Sequence, residues 1–168
     1  MKKLLLLSAL VLACNARGIF TPEPTLNDVQ IRLYDECIKE YNSKSCEDYL
    51  DTRNHNGDSY LTLKESLEVA FKGCDELKNA YSCHMVANYY DEGYPPNKFI
   101  QDNKEKSYEY KLKACEIDGY YCWFVGMDYK QKYNKTKDKK DKKQALKYFK
   151  IACENKNSFG CNYYLKLL

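Results

Sequence analysis

Eight cysteines constrain this chain more than any other feature. Cys37 and Cys46, Cys74 and Cys83, Cys115 and Cys122, and Cys153 and Cys161 form close pairs, with eight, eight, six and seven residues between partners. The first members recur at intervals of 37, 41 and 38 residues, and the second at 37, 39 and 39. A fixed period near forty marks a repeat array, in which each unit buries its apolar face against its neighbours. Eight cysteines allow on the order of a hundred connectivities; the period selects the four sequential ones. A metal site does not suit the pattern, because four evenly spread pairs do not converge on one ion and Cys-x-x-Cys knuckles are absent.

The residues around each pair give the unit its shape. Before the first cysteine, apolar residues recur at spacings of three and four: Leu67, Ala70, Phe71 and Cys74, and Ala145, Tyr148, Phe149 and Cys153. Tyr108, Lys111, Leu112 and Cys115 repeat that spacing with a lysine among them. Such spacing places these side chains on one helical face. After the second cysteine a second helical pattern follows, as in Val86, Ala87 and Tyr90, Val125, Gly126 and Tyr129, and Tyr164, Leu165 and Leu168. Turn formers stand between, at Asn79-Ala80, Asp118-Gly119 and Ser158-Phe159-Gly160. The expected unit is helix, tight turn, helix, longer loop. A cysteine ending one helix then faces a cysteine opening the next within disulfide range. Closing so short a loop stabilises by roughly 2–3 kcal/mol in the chain-entropy account. With 44% hydrophobic residues in 168, the chain also has enough apolar surface for a core.

At the fourth pair, Lys147-Tyr-Phe-Lys-Ile-Ala-Cys153 followed by Phe159-Gly-Cys161 resembles the Sel1-like repeat in its disulfide-bearing form, typical of the Helicobacter cysteine-rich protein family. The similarity runs over residues 31–168 and is strongest in the third and fourth units. The resemblance implies an all-α fold: an αα-hairpin solenoid of four Sel1-like repeats, each stapled by a disulfide. The expected units are residues 31–62, 63–103, 104–140 and 141–168, with a tether over 14–30. Two features depart from the family pattern. The usual seven-residue cysteine gap occurs only in the last unit, and the Gly-rich loop is reduced to Asp91-Glu92-Gly93 in the second and replaced by lysines in the third.

Residues 1–13 read as an export signal, with Lys2 and Lys3 ahead of a short apolar stretch from Leu4 to Leu12. The stretch is too short to span a bilayer. Val11-Leu12-Ala13-Cys14 resembles a bacterial lipobox, which implies lipid attachment at Cys14, with plain cleavage near Ala13 or Ala16 as the alternative. The expected location is the cell envelope, as an outer-membrane lipoprotein or in the periplasm, or outside the cell, where the compartment is oxidising. Membrane contact is expected only through the N-terminal lipid.

The net charge of +3 is too small to make nucleic acid the main partner. The charge is unevenly placed, however. Residues 130–150 hold ten Lys against two Asp, whereas residues 20–60 hold nine acidic against four basic residues. The lysine-rich stretch reads as a solvated, self-repelling loop; the sharper reading is a contact for an acidic glycan or lipid headgroup.

Residues 54–65 resemble an EF-hand loop, with Asn54, Asn56 and Asp58 at ligand positions, Tyr60 offering a carbonyl and Glu65 closing the shell. Asn54 replaces the usual Asp and Ser59 stands where the sharp turn wants Gly, so Ca²⁺ affinity would be weak. The plain alternative is an inter-repeat loop rich in turn formers. No other cofactor is expected.

The resemblance also implies penicillin binding or weak β-lactamase activity. No serine has a lysine three residues later, Ser-Asp-Asn and Lys-Thr-Gly are missing, and His55 and His84 lie in different units. His84 reads as a surface or groove residue rather than a base. Tyr89, Tyr90, Tyr129, Tyr163 and Tyr164 are candidates for a binding groove, although aromatics at helical spacing are more often packing residues. The function expected is binding of another protein, a peptide or a peptidoglycan fragment; a β-lactam is the alternative ligand, and Ca²⁺-dependent binding the third reading.

Overall fold

The computed structural model describes residues 26–55, 63–91 and 100–168. Among them the chain is all-helical, with α1 (Leu26–Ile38), α2 (Ser43–His55), α3 (Leu63–Phe71), α4 (Ala80–Tyr90), α5 (Lys104–Ile117), α6 (Cys122–Thr136), α7 (Lys139–Glu154) and α8 (Ser158–Leu167). A π turn, Lys72–Glu76, extends α3, and a 3₁₀ turn, Gly119–Tyr121, leads into α6. The helices associate as consecutive pairs. Substantial packing runs between α1 and α2, α4 and α5, α6 and α7, and α7 and α8, so each pair rests on the next. None of the helices among the described residues is long and apolar enough to cross a membrane.

Four disulfides close the four helix-to-helix turns: Cys37–Cys46, Cys74–Cys83, Cys115–Cys122 and Cys153–Cys161. Their Cα separations are 4.9, 4.5, 4.4 and 4.4 Å. Disulfides in this number belong to an oxidising, extracellular type of environment. Cys14 lies outside the described residues, as do Asn56, Asp58 and Tyr60 of the candidate calcium loop. Asn54 falls near the end of α2 and Glu65 in the first turn of α3.

Three of the turns share one backbone device. Tyr41, Lys78 and Lys156 adopt left-handed φ values of 58°, 53° and 65°. Each is followed by an asparagine whose side chain caps the next helix. Asn42 Oδ1 accepts from Ser45 N, Asn79 Oδ1 from Ser82 N and Asn157 Oδ1 from Gly160 N. These bonds satisfy amides that have no partner within the helix. The third pair, with its shorter cysteine gap, uses Asp118 to cap the 3₁₀ turn through Tyr120 N. Two of the asparagines also reach back to the preceding pair. Asn79 Nδ2 donates to the Ser43 carbonyl at 3.3 Å, 36 residues away, and Asn157 Nδ2 to the Tyr120 carbonyl at 2.9 Å, 37 residues away. The turn therefore joins one pair to the next at nearly the interval that the cysteines show.

The core follows the helical faces. Leu33, Leu50, Val69, Val86 and Ala87 are buried in one cluster, and Val125 and Ala152 in a second around Cys115 and Cys122. Where α6 crosses α7, Gly126 admits the fully buried ring of Phe149; a Cβ at Gly126 would stand 2.6 Å from Phe149 Cδ1.

Three expectations change in the structure. α1 begins at Leu26, inside the stretch read as a tether, because Val29, Gln30 and Leu33 already bury one helical face. Ser158-Phe159-Gly160 forms the first turn of α8 instead of the linker; the break falls at Lys156–Asn157. The lysine-rich stretch is not a loop. It comprises the end of α6, a break at Lys137–Asp138 and most of α7.

Candidate functional site

The end of α4 and the start of α5 are tied together by Asn103 N, which donates to the Tyr90 carbonyl at 2.9 Å. Asn103 then caps α5 through Lys106 N. This junction brings Asp91 over the middle of α5. A cleft of about 330 Å³ opens there, lined by Asp91, Lys104, Glu105, Tyr108, Lys111, Asp128, Gln131 and Lys132.

Lys111 is the centre of the cleft. It occupies a position on the α5 face that otherwise turns apolar groups inward, and its side chain is only 11% exposed. An ammonium so placed needs counter-charge. Its Nζ lies 3.0 Å from Asp91 Oδ2 and 3.2 Å from Asp128 Oδ1. Burial pushes the Asp128 carboxyl up from its ordinary value, against the opposing pull of Lys111. One wall of the cleft is Tyr108, the first member of a tyrosine ladder. Tyr108 donates its hydroxyl to Tyr129 at 3.0 Å, and Tyr129 stacks on Tyr148 with ring centroids 5.8 Å apart. Burial raises the Tyr108 hydroxyl, so it stays a neutral donor. Lys132 Nζ stands over the Tyr108 and Tyr129 rings at 5.2 and 5.0 Å.

Chemically the cleft balances three carboxylates against three ammonium groups around a Tyr edge and an amide. Among the described residues, its lining contains no serine, threonine, cysteine or histidine. It suits recognition of a polar segment carrying both signs of charge.

The candidate groove tyrosines are dispersed. Tyr89 is 2% exposed and belongs to the core, so it offers no contact surface. Tyr90 stacks on Tyr110 and Tyr163 on Phe149. Tyr164 is half-buried on α8. Tyr129 reaches the cleft only through Tyr108, the lining residue to which it is hydrogen-bonded. Lys111, Asp91 and Asp128 share no sequence motif that marks them as a group; the one signal is a lysine on an otherwise apolar helical face.

His84 is largely buried and keeps only partial exposure. Its ring stacks on Phe124 at a centroid distance of 4.0 Å, with Asn88 Nδ2 3.2 Å from Nε2. Burial, with a smaller contribution from Lys111, pushes its pKa down from 6.5 to about 4. The neutral ring therefore belongs to the folded state. Its contribution to stability is complete above pH 6.5 and is lost as pH falls toward about 4. That contribution is at most about 3 kcal/mol. His84→Phe keeps a flat ring and removes the titration. Thermal melts across this range should show a smaller loss on acidification in the variant than in the wild type; equal losses would contradict the assignment.

No protein-family model matches the chain, and neither a curated protein nor a solved structure matches it significantly.

Proposed function

We propose that this chain is an exported solenoid of four disulfide-stapled Sel1-like repeats that binds a peptide segment of another protein in the cleft around Lys111. The observation that carries the reading is Lys111 held between Asp91 and Asp128 at 11% exposure. Such a group is already positioned and largely desolvated, so exchanging one carboxylate for a ligand's carboxylate requires little reordering. The displaced aspartate is then available to a ligand cation or amide. The repeat reading draws support from side-chain bonds that recur at the cysteine period, Asn79 to Ser43 and Asn157 to Tyr120. Export draws support from the leader-like residues 1–13 and the four disulfides, with lipid on Cys14 as the means of anchorage.

A peptide library panned on the immobilised, oxidised protein tests this directly. The wild type is expected to select peptides with a shared motif containing both an acidic and a basic residue. The double variant Lys111→Met/Asp128→Asn is expected to bind those peptides at least about tenfold more weakly. A selection without a consensus, or a consensus that the variant binds equally, contradicts the reading. The alternative of β-lactam hydrolysis predicts nitrocefin turnover that survives repurification. Among the described residues the cleft lining offers no Ser, Thr, Cys or His nucleophile or base, which favours binding, and no turnover is expected.

A further inference from the structure

We infer that the tip formed by the end of α6 and the start of α7, with the exposed leucines of α8 beside it, docks on a membrane of anionic phospholipid. Six lysines stand at or near this tip: Lys135, Lys137, Lys139, Lys140, Lys142 and Lys143. All but Lys142 are exposed, and none pairs with a carboxylate among the described residues. The two acidic residues nearby are engaged in local structure. Asp138 Oδ1 accepts from Lys140 N at 2.8 Å, and Asp141 Oδ2 accepts from Thr136 Oγ1 at 3.3 Å. Uncompensated like charges at a helix hairpin repel one another, so the folded state gains nothing from this concentration.

The second observation is apolar. Lys142 Nζ donates to the Leu168 carbonyl at 3.4 Å, which brings the end of α8 to the same tip. Leu165 and Leu168 are 70% and 71% exposed there, with Lys166 exposed between them. In α4 and α6 the positions matching Leu165 are Ala87 and Gly126, both buried against a neighbouring helix. Over this face of α8 no described element packs.

Charge and apolarity together select the occupant. Residues 130–168 contain no arginine, and lysine is a point charge without the planar fork that reads phosphate or base edges directionally. That favours attraction to a charged surface over recognition of one strand. A soluble polyanion also provides nothing for the leucines. An anionic bilayer supplies both a negative surface potential and an apolar layer just beneath the headgroups.

Co-sedimentation of the full, oxidised chain with vesicles tests the inference. Vesicles of phosphatidylcholine containing phosphatidylglycerol are compared with phosphatidylcholine alone, at low and high salt. Preference for the anionic vesicles is expected, with loss of that preference at high salt. The N-terminal segment carries Lys2, Lys3 and Arg17 and adds its own preference for anionic lipid, so the variants, which leave it unchanged, locate the effect. A lysine near such a surface contributes roughly fivefold, so replacing Lys135, Lys139, Lys140 and Lys143 by Gln weakens binding roughly 10²–10³-fold. Leu165→Ser weakens it about tenfold. Both variants change exposed side chains and should melt no lower than the wild type. Equal binding to the two vesicle types, or unchanged binding by the quadruple variant, overturns the inference. Heparin binding without vesicle binding assigns the tip to a soluble polyanion instead. A Leu165-dependent dimer in vesicle-free buffer, again without vesicle binding, assigns the leucines to a second copy.

Discussion

Reducing the four disulfides unfolds the protein. Each bond closes a loop of nine residues or fewer in sequence separation, and such a loop contributes roughly 2–3 kcal/mol by restricting the unfolded chain. Together the four contribute on the order of 10 kcal/mol, comparable with the whole stability of an ordinary domain. The effect is also local. Cys37, Cys46, Cys74, Cys83 and Cys122 are at most 1% exposed, so each opened bridge leaves thiols inside the packed turn. A reduced sample should lose most of its helical circular dichroism at temperatures where the oxidised protein is fully folded. Removing only the second bridge, as Cys74→Ala/Cys83→Ala, should lower Tm by about 5–10 °C. A reduced protein that melts like the oxidised one would refute this account of stability.

The second large effect lies where α6 crosses α7. Phe149 is fully buried, and its ring fills the notch that Gly126 leaves. Phe149→Ala removes the ring and opens a cavity, with an expected loss of about 3–5 kcal/mol and a Tm about 10 °C lower. Gly126→Ala acts from the other side. Its new methyl would stand 2.6 Å from Phe149 Cδ1, so the ring or the helix must shift, for a loss of about 1–3 kcal/mol. The two substitutions should couple. In a Phe149→Ala background the methyl of Gly126→Ala enters vacated space, and its cost should fall or change sign. Chemical denaturation of the two single variants and the double measures the coupling. Strict additivity would show that the ring does not depend on the notch.

The helical pairs were legible in the sequence because two periods agree. Apolar residues at spacings of three and four give the helices, and the cysteine interval sets where each pair turns. The turn device was not legible. Left-handed conformation usually announces itself as glycine, but here Tyr41, Lys78 and Lys156 adopt it. The capping asparagines and disulfides over-determine those turns, so a side chain at that position is tolerated. The lysine-rich stretch misled for a different reason. Repulsion among its ammonium groups suggests a solvated loop, but lysine is a good helix former, and Ala145, Phe149 and Ala152 bury one face of α7. Packing on that face outweighs the repulsion on the other.

The candidate site was harder to read. Lys111 was visible only as one charged member of an apolar face, and its partners lie about one helix away in each direction of the chain. No local motif joins Asp91, Lys111 and Asp128; the α4–α5 junction does. Tyr89 was misread for the opposite reason. Period alone locates a helical face without saying whether a neighbouring pair covers it, and Tyr89 is covered.

The most direct test of the central claim, that four sequential disulfides staple four consecutive helix pairs, is peptide mass spectrometry of the native protein under non-reducing conditions. The account predicts Cys37–Cys46, Cys74–Cys83, Cys115–Cys122 and Cys153–Cys161 as the linked peptides, with Cys14 outside the set. Any linkage between cysteines of different pairs would contradict it.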